Sequence, residues 1–142
     1  MNKAPRAQVG HRPAVRRIGP ITQTDIVRFA GAGGDFNPLH HDPAAASAAG
    51  FERPIAMGQF TAGLLAAWLT DWCGVERLRA YRVRFVAPLL IGDTVELSGA
   101  VVGVHPEPDG IIAVDLDLAA RCPDRTVLTG RATVLLPGEP GR

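Results

Sequence analysis

The hydrophobic period of this chain changes once. From Gly58 to about Cys73 nearly every position is apolar or small, and the only ionisable side chains are Asp71 and Cys73. Leu64, Leu65, Trp68, Leu69 and Trp72 spread round most of a helical circumference, which predicts a helix buried on nearly all sides. Ala62, Gly63, Ala66 and Ala67 would let a curved sheet approach closely, and Gly74 supplies a stop. After Gly74 the period becomes two. Between Leu78 and Pro88, Tyr81, Val83 and Phe85 alternate with Arg82 and Arg84; between Ile111 and Arg121, Ile112, Val114, Leu116 and Leu118 alternate with Asp115 and Asp117. Asp93 to Val104 and Thr126 to Leu136 complete the expected strands, with turn signals at Gly92-Asp93, Pro108-Asp109-Gly110 and Cys122-Pro123-Asp124. One long buried helix followed by an antiparallel meander is an α+β arrangement in which a sheet wraps a helix.

Ahead of that helix the pattern is shorter-ranged. Thr22 to Asp25 fits a capping box and Ile21 with Ile26 a hydrophobic staple, so a helix is expected from Gln23 to about Ala30, released by the glycines at 31, 33 and 34. Asp42 followed by Pro43 is an N-cap with proline at the first helical position, and Ala44 to Ala49 supplies a short helix stopped by Gly50. The first 20 residues hold five cations, three prolines and no acid. The expected organisation is a flexible basic arm over residues 1–14, one domain over 15–137, and a tail over 138–142.

Composition then narrows the function. A chain of 142 residues suits one domain with a real core. Its formal net charge of +1 gives no overall field toward nucleic acid or membrane, so a negative ligand needs a local basic site. Cys73 and Cys122 stand apart from any Cys-x-x-Cys or Cys/His cluster, which favours reduced thiols over a disulfide scaffold or a zinc site. The apolar stretch around Ala62 to Leu69 is too short to cross a bilayer, and no signal-peptide run opens the chain, so a soluble cytoplasmic protein is expected.

The candidate chemistry lies in Gly34-Asp35-Phe36-Asn37-Pro38-Leu39-His40-His41-Asp42. Pro38 has a fixed φ and restricts Asn37 to extended geometry, so little entropy is lost when Asp35 and His40 converge. A carboxylate and an imidazole that converge can hold one water and move its proton. The plainer reading of Asp35 is a loop acid capping its own turn. His41 is expected to be an exposed neighbour, and the Asn37 amide to cross-link the loop rather than touch substrate. Gly58, opening the long helix, presents a backbone N–H with the helix dipole behind it.

This loop, together with Gly50-Phe51-Glu52-Arg53-Pro54-Ile55-Ala56-Met57-Gly58, closely resembles the MaoC-like, or (R)-specific enoyl-thioester hydratase, family, and the resemblance runs from about Thr22 to Leu136. It implies the hot-dog fold and reversible hydration of trans-2-enoyl thioesters of CoA or acyl carrier protein, with no metal or redox cofactor. It assigns Asp35 and His40 to water activation and the Gly58 amide to the thioester oxygen as that oxygen becomes an enolate. Asn37 and Met57 are then substrate-pocket candidates. The chain departs from the family at Met57, where many relatives have histidine, and at Ala66, where some have serine; Thr61 is the nearest alternative hydroxyl.

Other readings stay open. A hot-dog thioesterase would need a carboxylate on the central helix, where Asp71 is the candidate, and a thioester-binding subunit of a larger assembly would leave the chemistry to a partner. Arg77, Arg79, Arg82 and Arg84 form a basic cluster in which Arg82 and Arg84 are candidates for CoA phosphates, with a solvated strand face the competing reading. Trp68 and Trp72 suit core or dimer packing, and an exposed sheet edge predicts a homodimer joined by sheet continuation.

Overall fold

The computed structural model describes residues 5 and 7–138. Residues 1–4 and 6 of the expected arm, and 139–142 of the expected tail, lie outside the described residues. Helix α1, Gln23–Gly33, starts on the expected capping box: Thr22 Oγ1 accepts from the Asp25 amide at 3.1 Å and Asp25 Oδ2 accepts from the Thr22 amide at 2.8 Å. It runs past the expected end at Ala30, because Gly31 and Gly33 are tolerated in helical geometry and only Gly34, at φ 71°, turns the chain. Helix α2, Pro43–Ala48, is capped by Asp42, whose carboxylate accepts from the Ala44 amide at 2.9 Å. Helix α3 spans Gly58–Cys73. No helix among the described residues is long and apolar enough to cross a membrane.

Strands β1 (Arg16–Ile18), β2 (Leu78–Phe85), β3 (Val95–Pro106), β4 (Ile111–Cys122) and β5 (Arg125–Pro137) form one antiparallel sheet in the order β1-β3-β4-β5-β2. This corrects the expected meander. β3, β4 and β5 are successive hairpins, but β2 sits beside β5 at one edge. Alternation shows which face a residue takes and is silent on which strand lies next to it. The connection from β2 to β3 crosses the end of the sheet, bonded to the segment before α3 through Ala56 N to Leu89 O at 2.7 Å and Ile91 N to Pro54 O at 3.0 Å.

The sheet curls round α3 on one side, burying Thr61, Ala62, Leu65, Trp68, Leu69 and Cys73 against Leu97, Val101, Leu116, Leu128 and Val134. Gln59, Gly63, Ala67 and Asp71 line the helix side left open, so burial on nearly all sides is not observed within one chain. Glycine and alanine raise the hydropathy of that stripe while carrying little surface to bury.

Residues 7–14, expected to be mobile, are seated on the domain. Gly10 N donates to Val101 O and Val101 N to His11 O, both at 2.9 Å, Pro13 is buried, and Trp68 Nε1 donates to Ala14 O at 2.9 Å. The His11 ring stacks on Trp72 with centroids 6.2 Å apart. The receptors for this segment lie far along the chain, out of reach of local composition.

Tyr81 on β2 fixes which face of that strand meets the helix, since its hydroxyl donates to Ala62 O at 2.7 Å. Burial pushes the phenol up to about 12. The neutral form is the one the fold favours, so its contribution is complete below the unfolded value of about 10 and disappears as pH rises through the folded value. Tyr81 is the only tyrosine. Its phenolate absorbance should therefore emerge in one step near pH 12 in the folded protein and near about 10 in urea. A folded-state midpoint near 10 would show the hydroxyl to be free.

Candidate active site

Gly34 ends α1 and delivers Asp35 into a loop stiffened by a short turn at Pro38–His40. Asn37 Oδ1 accepts from the Leu39 amide at 3.0 Å, the cross-link expected of that amide, and Asp35 Oδ1 accepts from the Asn37 amide at 3.3 Å. Asp35 Oδ2 is thus left facing His40, whose Nε2 lies 3.4 Å away. The imidazole is buried while the carboxylate is half exposed. His41 is exposed.

His40 is held from three directions. Its carbonyl accepts from Gln23 Nε2 at 3.1 Å, its amide donates to Asn37 O at 3.0 Å, and its Nδ1 meets Ile55 O at 2.8 Å. A carbonyl only accepts, so Nδ1 carries the hydrogen, and in the neutral ring Nε2 presents its lone pair. Carboxylate and Nε2 are then two acceptors facing across 3.4 Å, a pair that cannot bond directly but that one water can satisfy by donating a hydrogen to each. Ile55 also returns its own amide to Leu39 O at 3.0 Å, which ties the Asp35 loop and the segment before α3 into one unit.

From Ile55 the chain passes through Ala56 and Met57 directly into Gly58, the first residue of α3. The opening turn of a helix leaves its N–H groups without intrahelical partners, and Gly58 is exposed. A Cβ at this position would sit 2.8 Å from the Phe85 ring, so glycine also permits β2 to approach. Phe85 and the Ile55 carbonyl were not singled out from the sequence. Phe85 had the alternation of an inward residue but no chemistry, and a backbone carbonyl has no sequence signal.

Other expected residues fall elsewhere. Met57 is buried at 4% exposure and belongs to the core cluster. Arg82 and Arg84 alternate with Tyr81 and Phe85, which face α3, and so lie on the outer face of the sheet, opposite the helix. Asp71, two residues before the far end of α3, pairs with Arg16 at 2.9 Å in solvent, roughly 20 Å along the helix from Gly58. Ala66 adds no hydroxyl, whereas Thr61 is buried at 2% exposure. Among the described residues no three His, Cys, Asp or Glu side chains gather as metal ligands.

A five-stranded antiparallel sheet curled round one long helix, with an acid and a histidine held in the loop ahead of that helix, defines a hot-dog protein. The chain belongs to the MaoC-like domain family, whose model matches residues 5–117. It is 34% identical over 119 residues to an (R)-specific enoyl-CoA hydratase of Rhodospirillum rubrum, covering 82% of this chain and 81% of that one. Among solved structures it resembles the (R)-hydratase from A. caviae involved in PHA biosynthesis, with a TM-score of 0.77, 29% identity, and coverage of 92% and 97%. It also resembles a chain of the ChsH1-ChsH2 complex from Mycobacterium tuberculosis, with a TM-score of 0.79, 25% identity, and coverage of 92% and 99%.

Proposed function

We propose that this protein is a hydro-lyase that reversibly hydrates trans-2-enoyl thioesters to (R)-3-hydroxyacyl thioesters. The observation that carries the reading is the facing pair of acceptors, Asp35 Oδ2 and His40 Nε2, with His40 locked by Ile55 O. A water held by both has its oxygen lone pair free to form a bond to Cβ. Its proton passes to the acceptor pair while the C=C electrons move toward the thioester oxygen, which the Gly58 amide receives as an enolate. The proton then returns to Cα on the same face, closing a syn addition with no net change in the enzyme. Asn37 serves by shaping the loop.

The decisive measurement is the enoyl absorbance of a panel of trans-2-enoyl-CoA substrates incubated with the purified protein, read beside thiol release. Loss of absorbance without thiol, with an (R)-3-hydroxyacyl product, is expected. Thiol release without hydration would overturn the reading in favour of a thioesterase, for which the exposed ion pair of Asp71 offers little.

A homodimer completes this reading. Asp35 is half exposed, Phe36 and Phe85 are 67% and 52% exposed, and β2 has no strand on its outer side among the described residues. A second copy joined along β2 would cover these apolar rings and enclose the acyl chain. Light scattering of the purified protein should give a dimer mass. A monomer that assembles only with a different hot-dog chain would favour a subunit role, as the likeness to a two-component complex suggests. Both cysteines are buried and unbridged, and burial pushes both thiols up, which leaves neither as a reactive nucleophile.

A further inference from the structure

The outer face of the sheet, opposite α3 and Asp35, carries a trough of about 660 Å³ rimmed by Arg12, Arg82, Arg84, Arg121 and Arg131, with Asp117 the one carboxylate among its lining residues. The sheet register shows how this comes about. In one row across the strands, Asp117, Arg131 and Arg82 are successive partners on β4, β5 and β2. Two arginines directly opposite each other destabilise a sheet unless an anion lies between or above them. Asp117 reaches Arg131 Nε at 3.3 Å, and neither Arg82 nor Arg84 has a carboxylate partner among the described residues. In the next row Ser98, Ala119, Thr129 and Arg84 are successive partners on β3, β4, β5 and β2. Small side chains there leave a low floor, so the arginines stand above it as a rim.

The charge is local, since the whole chain carries only +1. Guanidinium forks match phosphate oxygens two at a time, and several forks around a low floor suit a ligand with more than one phosphate. We infer that this trough is a binding site for phosphate esters or polyphosphate. It stands apart from the Asp35 and His40 pair and does not depend on the hydratase reading.

Calorimetric titration of the full chain at low salt with inorganic pyrophosphate, and separately with adenosine 3′,5′-bisphosphate, tests the site directly. Saturable binding is expected that weakens about tenfold or more in the double variant Arg82→Gln, Arg84→Gln, a loss of roughly 1.4 kcal/mol or more, and that fades as salt is raised. Arg28→Gln, an exposed arginine on α1, should bind as the wild type does. Binding that is absent, or equal in the wild type and the double variant, would overturn the inference whatever the protein catalyses. Kinetics then identify the source of the phosphate. A KM that rises for an enoyl-CoA but not for the corresponding enoyl-pantetheine, at constant kcat, makes the occupant the nucleotide end of the substrate. Unchanged KM values beside lost pyrophosphate binding make it a separate anion.

Discussion

Asp35→Asn should lower hydration by ~10² or more with the fold intact. The substitution keeps the size of the side chain and an oxygen for the Asn37 amide at 3.3 Å, but it replaces an acceptor facing Nε2 with an amide that accepts no proton at neutral pH. His40→Ala should match that loss, because it removes the second acceptor of the same water. The double variant should be little worse than either single one, since two groups that share one water form one catalytic unit. Circular dichroism would check the fold and enoyl absorbance the rate. Near wild-type turnover in Asp35→Asn, or fully additive losses, would break the shared-water assignment; a large loss in His41→Ala with little in His40→Ala would show the wrong histidine had been chosen.

The largest effect on stability is expected from Asp93→Ala. The Asp93 carboxylate, 12% exposed, accepts from Arg125 Nη2, accepts from the Leu90 amide at 2.8 Å, and lies 3.7 Å from Arg53 Nη2. Arg125 in turn donates to Pro88 O at 3.1 and 3.2 Å, and Arg53 donates to Ile91 O at 2.8 Å. Removing the carboxylate leaves a poorly solvated guanidinium and a part-buried amide without their partner, a cost of about 3 kcal/mol. Urea unfolding should show the midpoint fall at constant slope. An unchanged midpoint would mean that water replaces the carboxylate freely. The same loop backs Ala56 and Pro54, so kcat should fall in this variant although Asp93 touches no reacting atom. Asp93→Asn, which keeps an acceptor for Leu90 N, should recover part of both losses.

What the sequence made legible follows the reach of each signal. Caps act within one helical turn, so Thr22, Asp25 and Asp42 could be read in advance, as could the bounds of α3 between Gly58 and Gly74. The stiff Asn37-Pro38 step confined Asp35 and His40 to one loop, and their approach is local for that reason. Strand β1 was legible only as a short extended stretch closing the arm, because three residues, Arg16–Ile18, are too few to show an alternation. The position of β2 beside β5, the seating of residues 7–14 and the Ile55 carbonyl under His40 all depend on partners distant in the chain. Arg82 and Arg84 were legible as one face of a strand; which element packs on the other face was not.

The seating of the N-terminal segment gives the molecule an optical gauge. The chain has two tryptophans, and both meet that segment, Trp72 through the His11 ring and Trp68 through Ala14 O. Their emission therefore reports whether the segment is in place. A change in fluorescence on adding substrate would mark movement where the segment meets β3, toward the β1 edge of the sheet and away from β2 and its Phe85.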